Sequence, residues 1–100
     1  MSSLTPAHCR VIDGDKLPAA SGGPRALCAA IKRAVAARSP GIDFTAEVRV
    51  LSSARLSASL TREGQRLPDQ EFASMDRELR QDSFERFAAA IADQIAAEPD

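Results

Sequence analysis

From Ile42 to Thr61 the chain alternates apolar or small residues with polar ones almost without a break. Ile42, Phe44, Ala46, Val48 and Val50 hold one parity, continued by Ala54, Leu56, Ala58 and Leu60. Asp43, Thr45, Glu47 and Arg49 fill the other, followed by Ser53, Arg55, Ser57, Ser59 and Thr61. Successive side chains of a strand point to opposite faces. The pattern therefore predicts two half-buried strands, each with one face on a core and one in water.

Parity also constrains the turns. Opposed residues of an antiparallel pair share a face, so a two-residue Ser52-Ser53 turn would set Val50 against Arg55 and mix the faces. An odd-length loop or a bulge instead pairs Val50 with Leu56 and Val48 with Ala58. At the next turn, Glu63-Gly64 at the tip sets Leu60 opposite Leu67. Residues 70–76 (QEFASMD) fit either a strand or a helix in which Phe72, Met75 and Leu79 share a face. An edge strand is the reading preferred, because Pro68 is tolerated at an edge.

The flanking segments supply one more strand and two helices. His8 to Ile12 is a short strand ending at the Asp13-Gly14-Asp15 turn. Pro24 opens a helix whose stripe is Leu27, Ile31 and Val35, widened by Cys28 and Ala34 and stopped by Ser39-Pro40-Gly41. Asp82 with Glu85 three residues later reads as a capping box before Phe84, Phe87, Ala88, Ile91 and Ile95, and the tail 98–100 reads as a frayed end. The expected fold is α+β, a two-layer sandwich in β-α-β-β-β-α order. Two amphipathic helices pack on one face of a small, mainly antiparallel sheet. A chain of 100 residues predicts one domain over 1–100 with its ordered core over about 8–97.

Composition excludes more functions than it suggests. A formal net charge of −1 gives no global attraction to nucleic acid or anionic membrane. The four Phe read as core and there is no Trp or Tyr, so platforms for stacking bases are missing. No apolar run approaches a membrane span. Eleven arginines against two lysines point to a GC-rich, bacterial genome. The leading MSSLTPAHC lacks the charged and apolar regions of a signal peptide, which leaves a cytoplasmic protein or one whose signal has been removed.

Cys9 lies on the first strand and Cys28 early in the helix that packs back on the sheet, so the two can meet. A disulfide closing that loop would stabilise the fold by roughly 3 kcal/mol in the chain-entropy model and would suit an oxidising compartment. Two buried thiols are the alternative. His8 beside Cys9 is a poor nucleophile–base pair and a poor metal set, because strand neighbours diverge. Ser21, Gly22 and Gly23 with Arg25 form a candidate anion site at a helix start, or else a plain cap. Asp13 and Asp15 read as a solvated turn. The outward row Thr45, Glu47, Arg49, Arg55, Ser57 and Ser59 is a solvated sheet face or a partner surface.

These observations predict no catalytic residue, metal or cofactor, and hence no enzyme. They point to an interaction module of the bacterial cell envelope, periplasmic or secreted, acting through an open sheet face or an edge strand. Its partner would be a protein, with no nucleic acid and no membrane insertion, and a homodimer through an edge strand is a further expectation. The helix–strand–strand–helix order is similar to that of small periplasmic domains such as the C-terminal domains of TonB and TolA, in element order alone. The alternatives are a small-ligand or anion-binding domain at Ser21–Arg25 and a small cytoplasmic regulatory subunit.

Overall fold

In chain order the elements are β1 (Ala7–Ile12), α1 (Gly23–Arg38), β2 (Phe44–Ser52), β3 (Arg55–Arg62), β4 (Gln65–Arg66), β5 (Gln70–Ala73) and α2 (Gln81–Ala96). They come from a computed structural model that describes residues 7–75 and 77–97. Asp76, expected at the end of a strand, the tail 98–100 and the first six residues lie outside that range. Both helices pack on one face of a five-stranded mixed sheet, so the fold is the two-layer α+β sandwich expected.

The alternating stretch sets the register. Val48 opposes Ala58 and Val50 opposes Leu56, with a bulge between Val50 and Ser52 that lets a short turn keep the faces apart. Phe44, Ala46, Val48 and Val50 of β2 are buried, as are Leu56, Ala58 and Leu60 of β3. The β3–β4 turn has φ 49° at Glu63 and 85° at Gly64. Two positive φ values mark the type I′ geometry whose twist matches a hairpin. The Leu67 N–H then donates to Leu60 O at 2.9 Å, the pairing that turn predicts.

Two details differ from the expected order. First, the single edge strand after Arg62 exists in two pieces. Thr61 opposes Arg66, whereas Ala58 opposes Gln70, so the edge spends one residue more than β3 over the same interval. That extra residue falls at Leu67–Asp69, where Pro68 has no N–H to give a ladder. The bulge also lets Leu67 and Phe72, an odd number of positions apart, both pack against the core. Second, α2 starts at Gln81, and its cap is not the Asp82–Glu85 box. The Arg80 N–H donates to Ser83 Oγ at 3.1 Å, which satisfies a group the helix leaves open. Asp82 instead sits in the first turn, 3.8 Å from Arg86 one turn on.

β1 joins β2 in parallel, Cys9 opposite Ala46 and Val11 opposite Val48, with α1 as the crossover between them. The core is where α1 (Leu27, Ile31, Val35) and α2 (Phe84, Phe87, Ile91, Ile95) meet the inner sheet face. Ala30, Ala88 and Ala92 are also buried, and small residues let packed helices approach closely. Leu79 is fully buried, its N–H bonded to Ser53 O, so the segment before α2 is pinned to the β2–β3 turn.

Candidate functional site

Among the described residues no helix packs on the outer face of the sheet. The ladders place its side chains in cross-strand rows: Thr45 with Thr61, Glu47 with Ser59, and Arg49 with Ser57. All six residues expected on this face lie on it, Arg55 at its end. β1 extends the rows with His8 beside Thr45, Arg10 beside Glu47 and Ile12 beside Arg49. Sequence reasoning missed these three, because a parallel partner joined through a helix leaves no local signal.

The rows make a trough. Thr45, Ser57, Ser59 and Thr61 lie along its middle together with Glu47 and Arg49, and His8, Arg10 and Arg66 stand along its edges. One end, lined by His8, Arg10, Thr45, Ser59, Thr61 and Arg66, has a volume of about 600 Å³. A second hollow shares Glu47 and Ser59 with it and continues to Arg49, Ser57 and Asp69. Arg10 stands 3.8 Å from Glu47, and Arg66 stands 3.6 Å from Asp69. Exposed pairs of this kind contribute about 0–1 kcal/mol, so a partner's carboxylate can displace them at little cost.

The other candidates fall elsewhere. Cys9 and Cys28 are joined as a disulfide with their Cα atoms 5.7 Å apart, within the span such a bridge needs. The bridge ties the inner face of β1 to the first turns of α1. His8 and Cys9 are strand neighbours whose side chains leave opposite faces, and the Cys9 sulfur is taken up by Cys28. Among the described residues no three His, Cys, Asp or Glu side chains are grouped to hold a metal.

At the α1 start, the two glycine amides of the candidate anion site are engaged. The Gly22 N–H donates to Ala19 O at 3.3 Å and the Gly23 N–H to Ser21 Oγ at 3.3 Å. The fully buried Ser21 gives its own hydroxyl proton to Pro18 O at 2.6 Å. Arg25 is exposed one turn away. This arrangement closes on itself as a helix lead-in, and the Asp13-Gly14-Asp15 turn runs into a short 3-10 helix, Gly14–Lys16, whose half-buried Gly14 lies against Pro24.

Fold and site together describe a small two-layer α+β protein whose outer sheet face carries no helix among the described residues. Comparison of the chain with protein-family models, curated proteins and solved structures finds no match, and so nothing there indicates catalysis. No helix among the described residues is long and apolar enough to cross a membrane.

Proposed function

We propose that this protein is a non-enzymatic binding module of the bacterial periplasm, and that a protein partner docks on the open face of its sheet. The observation that carries this reading is the trough itself. Both helices pack on the opposite face, and the outer one, which no described helix covers, presents hydroxyls and arginines in ordered cross-strand rows. Arg is enriched at protein interfaces, and this face presents Arg10, Arg49 and Arg66. The partner surface would be polar and carry carboxylates to meet Arg10, Arg49 and Arg66.

The Cys9–Cys28 bridge supports an oxidising compartment over the cytoplasmic regulator, since stable disulfides are rare where glutathione keeps thiols reduced. The anion-site alternative draws no support from amides already bonded within the loop.

Site-specific photo-crosslinking in a bacterial periplasm tests the reading. A photoreactive residue at Ser57, on the trough, is expected to yield a discrete adduct that Arg49→Glu abolishes. The same residue at Ala36, exposed on α1, is expected to yield none. Equal labelling from both positions, or none from Ser57, would sink the proposal.

A further inference from the structure

We infer that two copies of this chain pair through the free edge of β5, antiparallel and in one register. The backbone fixes which groups that edge offers. The Ser74 N–H donates to Ala54 O at 2.8 Å, and the ladder continues with Ala73 opposite Arg55, Phe72 opposite Leu56 and Glu71 opposite Ser57. Hydrogen-bonding direction alternates along a strand, so Phe72 faces β3 while Glu71 and Ala73 point their N–H and C=O groups outward.

Of the registers about a two-fold axis that keep the sheet faces matched, only those centred on Glu71 and on Phe72 pair three residues of β5 with three of the second copy. Centred on Glu71, the pairing would oppose two carboxylates, which destabilises a sheet. Centred on Phe72, it sets Glu71 opposite Ala73 of the second copy as a doubly hydrogen-bonded pair, and repeats this by symmetry. The two Phe72 side chains then meet as a non-bonded pair, where cross-strand side chains come closest. Phe72 already rests against Phe87, ring centroids 6.0 Å apart, and is only half-buried.

Charge favours the same register. On the outer face it lines up Arg55, Ala73 and the second copy's Glu71 across neighbouring strands. Two strand spacings are about 9.6 Å, a gap that long side chains bridge over an alanine. Neither Arg55 nor Glu71 has an ion-pair partner among the described residues. The exposed large apolar side chains gather here too. Leu51, 42% exposed, lines a hollow with Arg55 and Phe72, and Met75, 87% exposed, lines another with Phe72 and Ala73. The edge is short, so the contact belongs with weak, reversible interfaces, dissociating at about micromolar concentrations or above. The trough stays open in such a dimer, and this inference stands or falls apart from the binding reading.

Sedimentation velocity on the oxidised chain, up to about 500 µM, tests it. A reversible monomer–dimer equilibrium is expected, with amide exchange at Glu71 and Ala73 slowing as concentration rises. Ala73→Pro removes an outward N–H and no ladder bond of the monomer, and is expected to abolish the dimer. Arg55→Glu and Glu71→Arg are each expected to weaken it by about tenfold, and the double exchange to restore it. A monomer throughout, a dimer indifferent to Ala73→Pro, or no recovery in the double exchange would overturn the inference.

Discussion

Single backbone positions carry two stability predictions. Gly22 holds φ 98° at the start of α1, and a Cβ there would lie 2.8 Å from the Cβ of Ala26. Left-handed strain and overpacking act together, so Gly22→Ala is expected to destabilise by about 1–3 kcal/mol. Glu63 is the opposite case, because it occupies a left-handed position at φ 49° that Asn tolerates better. Glu63→Asn creates the preferred dipeptide of a type I′ turn, and is expected to stabilise by about 0.5–1 kcal/mol. Urea unfolding checks both: the midpoint should fall for the first and rise for the second, with unchanged slope. A raised midpoint for Gly22→Ala would mean the loop relaxes away from Ala26.

At the level of elements, the sequence is most legible where one period runs long. The alternation in β2 and β3 forced the pairing of Val50 with Leu56, because only that parity buries both. The stripes of α1 and α2 were equally readable. Less visible were features set by contacts between distant segments. The parallel seating of β1 on β2 needs the crossover helix, and the bulge at Leu67–Asp69 needs Phe72 to find Phe87. The α2 cap was misplaced because Asp82–Glu85 matches a capping box, whereas Leu79, drawn into the core, starts the helix earlier and leaves Ser83 to do the capping. Of the site, the outward row on β2 and β3 was legible and its extension on β1 was not.

The same scale holds the disulfide prediction. Cys9 and Cys28 are 19 residues apart in sequence, and their bridge clamps an edge strand to the helix that follows it. Replacing both by Ala is expected to cost about 3 kcal/mol, read as a lowered denaturation midpoint. Protein purified from an oxidising compartment should take up no alkylating groups under denaturing conditions until a reductant is added. Immediate alkylation of both thiols would remove the support for a periplasmic location.

For the whole molecule, the two faces of the sheet obey different rules, and adjacent residues expose the contrast. Ala58 and Ser59 are neighbours on β3, nearly equal in size. Ala58 is fully buried between β2 and β5 under the helices, while Ser59 lies on the floor of the trough. Asn at position 58 would put an amide with no partner into a packed core, at an expected cost of about 3 kcal/mol or more. Asn at position 59 would meet solvent, with an expected change within about 0.5 kcal/mol. Thermal and urea unfolding of Ala58→Asn and Ser59→Asn measure the difference directly. If Ser59→Asn proved as costly as Ala58→Asn, the trough would be part of what holds the protein together. A neutral Ser59→Asn would leave this face without a folding duty, the condition for it to be open to a partner.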